Sequence, residues 1–87
     1  NYTIAKSTIG PGAGTIWVLA SDIQQETLKD IAMEFIDKYG NLQSITVYFF
    51  TNEADMEAHT NYASLSWNPT EKPYLQYWDS LEKIMIE

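Results

Sequence analysis

Apolar side chains recur at three- and four-residue steps between Ser21 and Gly40, at Leu28, Ile31, Ala32, Phe35, Ile36 and Tyr39. At 3.6 residues per turn these positions form one stripe, while Glu26, Lys29, Asp30, Glu34, Asp37 and Lys38 fall mostly on the other side. The stretch is therefore predicted to be an amphipathic helix. Ser21 with Gln24, or Asp22 with Gln25, offers a capping box at its start, and Lys38 followed by Gly40 supplies a cation and a stop at its end. The flanking patterns differ. Thr15 to Ala20 holds Ile16, Trp17, Val18 and Leu19 in a row, and Ser44 to Thr51 places Ile45, Val47 and Phe49 on one face and Thr46, Tyr48 and Phe50 on the other. Both read as strands that are oily on two sides. Strand, helix and strand with short joints predict a βαβ unit, its strands parallel, its crossover right-handed, and its helix stripe resting on Ile16, Val18, Ile45, Val47 and Phe49.

That arrangement leaves Trp17, Leu19, Tyr48 and Phe50 on the opposite face. Exposing them all forfeits several kcal/mol at about 25 cal/mol per Å² of apolar area, so a cover is expected. The C-terminal segment is the chain's own candidate. After Pro73, residues Tyr74, Tyr77, Trp78, Leu81, Ile84 and Met85 again step by three and four, and Thr70 stands where a cap belongs, which predicts a second helix. The alternation from Lys83 to Glu87 offers a strand instead. Asn61 to Trp67 alternates Ala63, Leu65 and Trp67 with Ser64 and Ser66, as in a half-exposed strand returning antiparallel to Ser44 to Thr51. Asn1 to Ile9 has a weak period-two pattern suited to an edge strand, followed by a Gly/Pro turn, so that residues 1–13 form a strand and turn. The expected fold class is α+β: a small two- or three-layer βαββ(α) sandwich with a mixed sheet of three to four strands, one long helix on one face and a C-terminal helix. All 87 residues are expected in one domain.

Charge narrows the partners. Five basic residues stand against twelve acidic ones, a formal net charge of −7, and the resulting field repels phosphate backbones and anionic lipid. Nucleic acid is not an expected partner. No run reaches the roughly 18 apolar residues of a membrane span. Cysteine is absent, so neither a disulfide nor a thiolate metal site is available. The chain begins at Asn1, which fits a mature exported product and equally a trimmed chain.

Candidate chemistry is sparse. His59 is the sole histidine, close to Glu53, Asp55 and Glu57, and these four are the candidate ligands for a divalent metal. The glycine of a helix-loop-helix calcium loop is missing from the stretch, and Ser64 and Ser66 lack a nucleophile elbow. No cofactor and no enzymatic activity are expected. The aromatic residues are more suggestive, since one helix cannot cover them all. Trp17, Tyr48, Phe50, Tyr62, Trp67, Tyr74 and Tyr77 are the candidate interaction surface.

The apolar strand, the helix carrying LKDIAMEFIDKY, the strand ITVYFF, the acidic connection and YASLSWNP together resemble small exported, lipoprotein-like bacterial α/β domains of unassigned role. The resemblance spans Gly14 to Pro69 and implies a fold and an extracytoplasmic or secreted location, with no catalytic residue to transfer. The function expected is a non-catalytic module that binds a protein or a second copy of itself as a homodimer. The alternative is a small-ligand or metal-binding domain using the acidic loop 52–59.

Overall fold

The computed structural model describes residues 2–40 and 44–86. Asn1 and Glu87, the outer ends of the two terminal stretches considered above, lie outside the described residues. Strands β1 (Thr3–Gly10), β2 (Ala13–Leu19), β3 (Ser44–Phe50), β4 (Ala63–Asn68), β5 (Glu71–Tyr77) and β6 (Ile84–Met85) form one sheet in sequential order. Helix α1 (Gln25–Tyr39) joins β2 to β3, and a short helix α2 (Glu53–Glu57) lies between β3 and β4. Among the described residues only the β2–β3 pair is parallel. The other four pairs are antiparallel.

The helix forms where the apolar stripe places it, with Leu28, Ile31, Ala32 and Phe35 buried. They pack against Ile16 and Val18 of β2, Ile45, Val47 and Phe49 of β3, and Ala63, Leu65 and Trp67 of β4. In-register pairing carries this apolar row across the sheet, Val47 beside Leu65 and Leu65 beside Leu75. The start of α1 differs from the expected capping box: Gln24 occupies the cap position without a side-chain bond. Asp22 acts instead, accepting the Gln24 backbone N–H at 2.9 Å and the Thr27 hydroxyl at 2.8 Å. The Gln24 amide, then the Thr27 hydroxyl, hold the Asp22 carboxyl below its usual pKa. At the other end Gly40 closes the helix at φ 70°, its N–H donating to the Ile36 carbonyl.

Two expectations are overturned. The sheet has six strands rather than three or four, and the C-terminal segment forms β5 and β6 rather than a helix. The βαββ(α) sandwich is thus replaced by a mostly β domain with one long helix and one short one. Local chemistry explains the switch. Asn68 accepts both the backbone N–H and the hydroxyl of Thr70 at 2.9 Å, so Thr70 belongs to a tight turn and caps no helix. That turn sends the chain back along β4 as a hairpin. Pro73 falls where the β4–β5 register shifts, a break in the ladder where its missing N–H costs little. From there Leu75 continues the buried row, while Tyr74 and Gln76 point to the other side.

The two sheet edges are unlike. β6 is two residues long, whereas β1 is eight residues long and almost wholly exposed. A register shift between Ile4 and Lys6 and the charge of Lys6 interrupt β1, features that discourage further strand pairing.

Candidate functional site

Four aromatic donors clamp α1 and its connections to the sheet. The Trp67 indole N–H donates to the Gly40 carbonyl at 2.6 Å, the Tyr62 hydroxyl to Ala20 O at 2.9 Å, the Tyr77 hydroxyl to Ile23 O at 2.7 Å, and the Tyr2 hydroxyl to Glu34 Oε1 at 2.6 Å. The first three belong to the candidate interaction residues, and the structure places all three on the helix-covered side. Trp67 is 2% exposed, with its ring in the core and its one polar atom satisfied. Trp67, Tyr62 and Tyr77 hold the fold together.

The remaining four, Trp17, Tyr48, Phe50 and Tyr74, share the opposite face. Across it the register aligns Lys6, Trp17, Tyr48, Ser64 and Gln76 from β1 to β5. The next row runs Thr8, Thr15, Thr46, Ser66, Tyr74 and Met85. Among the described residues no helix lies over these rows. The face is instead made tolerable to water by hydroxyls interleaved with aromatics and by two lysines lying on rings: Lys6 Nζ sits 4.9 Å from the Trp17 ring centre, and Lys83 Nζ 4.4 Å from that of Tyr74. Lys83 also reaches Glu71 at 3.5 Å.

At one end of the face the α2–β4 connection folds over. Asn52 caps α2 by accepting the Asp55 N–H at 2.8 Å. The helix then ends with the N–H of His59 on Met56 O at 3.1 Å and that of Thr60 on Asp55 O at 2.8 Å. This is the six-to-one and five-to-two bonding that normally recruits glycine, and here His59 takes the left-handed conformation at φ 59°. The reversal brings the imidazole edge-on to Trp17, ring centres 5.3 Å apart, while Phe50 lies against Trp17 at 5.5 Å. Phe50, 2% exposed, forms the floor of an open hollow of about 300 Å³ lined by Trp17, Tyr48, Phe50, His59 and Asn61. Its walls are aromatic and its polar groups are an imidazole and an amide. Among the described residues its lining holds no carboxylate, and aromatic walls around a hollow of this size suit a flat apolar group.

The metal candidates are not brought together. Among the described residues no group of three or more His, Cys, Asp or Glu side chains is placed to hold an ion. Glu53, Asp55 and Glu57 stay on α2, the Asp55 carboxylate accepts from Thr51 and Asn52, and His59 turns away toward Trp17.

Trp78 is the residue that sequence reasoning missed. Assigned to the apolar stripe of a C-terminal helix, it stands 77% exposed just past β5, with Leu81 97% exposed beyond it. No local signal distinguishes it from the buried aromatics; only the β4–β5 hairpin, by fixing which side Leu75 and Tyr77 take, pushes it outward.

The tyrosine clamps carry a pH signature. Burial, with the charge on Tyr77 and Asp22 adding to it, raises the Tyr62 pKa to about 12, and burial followed by Asp22 raises that of Tyr77. Both phenols therefore hold their protons more tightly folded than unfolded, where titration begins near 10. Their contribution to stability is complete below that pH; that of Tyr62 is lost progressively as pH rises from 10 toward 12, and that of Tyr77 is lost above its ordinary value in the same direction. Denaturant midpoints measured for wild type and the Tyr62→Phe/Tyr77→Phe double variant should converge over this window. At neutral pH the variant is expected to be about 1–3 kcal/mol less stable, from two lost hydrogen bonds.

No helix among the described residues is long and apolar enough to cross a membrane. No protein-family model matches this chain, and no curated protein or solved structure matches it either.

Proposed function

We propose that this chain is a non-catalytic interaction module whose open sheet face binds protein, with a second copy of the chain as the specific form. The observation that carries this reading is the contrast between the two faces of one sheet. Trp17, Tyr48, Phe50 and Tyr74 share the face that no helix covers among the described residues, Trp17 beside Tyr48 in one row and Tyr74 in the next, while Tyr62, Trp67 and Tyr77 are tied down under α1. Aromatic residues inside a polar rim are the usual composition of a binding patch, because a ring buries much apolar area for little lost side-chain freedom. Charge supports the same face. Glu26, Asp30, Glu34 and Asp37 lie on α1, and along the two central rows of the open face no carboxylate appears. In a chain of net charge −7 this is where a second, equally acidic copy meets the least repulsion.

A heteronuclear NMR concentration series tests the reading. Amide and ring resonances of Trp17, Tyr48, Ser64 and Tyr74 should move with concentration while those of α1 stay fixed. Movement confined to α1, or none at all, would contradict self-association through this face.

A further inference from the structure

We propose that two copies associate by exchanging tryptophans, the Trp78 indole of each seating in the hollow that the other forms from Trp17, Tyr48, Phe50, His59 and Asn61. This inference rests on the self-association reading above and names the contact that fixes it. The projecting group is ready-made: Trp78 is 77% exposed, yet its backbone is held in place by an N–H bond to Tyr62 O at 2.8 Å. A large indole offered to water from a fixed backbone suits a binding anchor, since tryptophan is enriched at binding hot spots and little ordering remains to be done on association. The receiving hollow, about 300 Å³ with aromatic walls, has room for an indole, and Trp78 does not line its own chain's hollow.

Position makes the exchange reciprocal. His59 and Asn61 line the hollow on one side and a small cleft beside Trp78 on the other, so the projection and the cavity stand on either side of one wall. A two-fold axis through that wall carries each Trp78 to its partner's cavity, the self-complementary arrangement a closed dimer needs. Charge complements shape. Asp79, exposed beside the indole, arrives where Lys6 lies over Trp17 and His59 stands at the rim. One acidic residue of each copy thereby meets the Lys6 ammonium of the other.

Sedimentation from about 10 µM to about 1 mM, a range bracketing weak dimers, tests this with wild type, Trp78→Ala, Asp79→Asn and Asn61→Trp, the last designed to fill the cavity. Wild type should dimerise with rising concentration. Trp78→Ala and Asn61→Trp should each weaken association at least tenfold, on the order of a lost tryptophan anchor, and Asp79→Asn severalfold at low salt only. An equimolar mixture of Trp78→Ala and Asn61→Trp should associate more strongly than either alone, since one intact projection then meets one intact cavity. Thermal melts identify any variant that fails to fold, and Trp78→Ala and Asp79→Asn alone then decide. A wild type that stays monomeric overturns both the exchange and self-association. A wild-type dimer indifferent to Trp78→Ala overturns the exchange and leaves the open face as the interface.

Discussion

Replacing Trp67 with alanine is expected to lower the free energy of unfolding by about 3–5 kcal/mol, the range for truncating a large core ring, which for a domain of this size is a large part of the total. Two losses combine. The ring is 2% exposed and packs with Ile45, its cross-strand neighbour, and with the rest of the α1 core, so its removal leaves a cavity that the surrounding strands cannot fill. The indole N–H also satisfies the Gly40 carbonyl at the end of α1. Trp67→Phe separates the two effects: it keeps most of the volume and drops the donor, and should cost about 1–3 kcal/mol, the penalty for a buried polar group left unpaired. Chemical denaturation of the three proteins measures both numbers. Equal stability of Trp67→Phe and wild type would remove the clamp on Gly40.

The second expected result is a contrast between neighbours in sequence. Leu75→Ala should cost about 2–5 kcal/mol, while Trp78→Ala should change stability by no more than about 0.5 kcal/mol. Leu75 is wholly buried between Leu65 of β4 and Ile84 of β6, and Trp78 stands mostly in water. A C-terminal helix reverses the order, since its apolar stripe contains Trp78 and leaves Leu75 off it. The pair therefore distinguishes a sheet that ends in a hairpin from a sheet roofed by a helix, using urea midpoints alone.

How much of this was legible in the residues follows from which interactions are local. The α1 stripe, the oily runs of β2 and β3 and the alternation of β4 are periodic over their own length, and each forms where its period places it. Trp17, Tyr48 and Phe50 are assigned to one face by simple alternation, and that face is where they lie. The C-terminal segment was not legible, because Tyr74, Tyr77 and Trp78 satisfy a helical period while Pro73, Leu75 and Tyr77 satisfy an alternating one. The Asn68 turn brings Leu75 beside Leu65 and Tyr77 beside Ala63, and these pairings with β4, which no short window contains, decide between them. Tyr62, Trp67 and Tyr77 resembled free aromatic surface for a related reason: their acceptors, the carbonyls of Ala20, Gly40 and Ile23, are distant in sequence and carry no side-chain mark. His59 was legible as a lone titratable group and illegible as a wall of the hollow, since its left-handed turn stands where glycine is customary.

The expected need for a cover over the second face is met differently from the way apolar area alone suggests. Phe50 is buried, and Trp17 and Tyr48 are half-buried, by Lys6, by His59 and Asn61 from the α2–β4 connection, and by each other. Amphipathic neighbours that keep a charge or amide in water while laying carbon against a ring reduce the penalty without closing the face. The face that results is ordered enough to be specific and open enough to bind.

One face is covered and the other free because the C-terminal segment lies in the plane of the sheet. A nuclear Overhauser map of the dilute chain tests this most directly. Methyl contacts from Leu75 to Leu65 and to Ile84, with no contact from Leu81 to the Trp17 indole, are the pattern expected of six coplanar strands. Strong contacts from Leu81 and Trp78 of the same molecule to Trp17 and Tyr48, with Leu75 free of Leu65, would place a cover on the open face and contradict it.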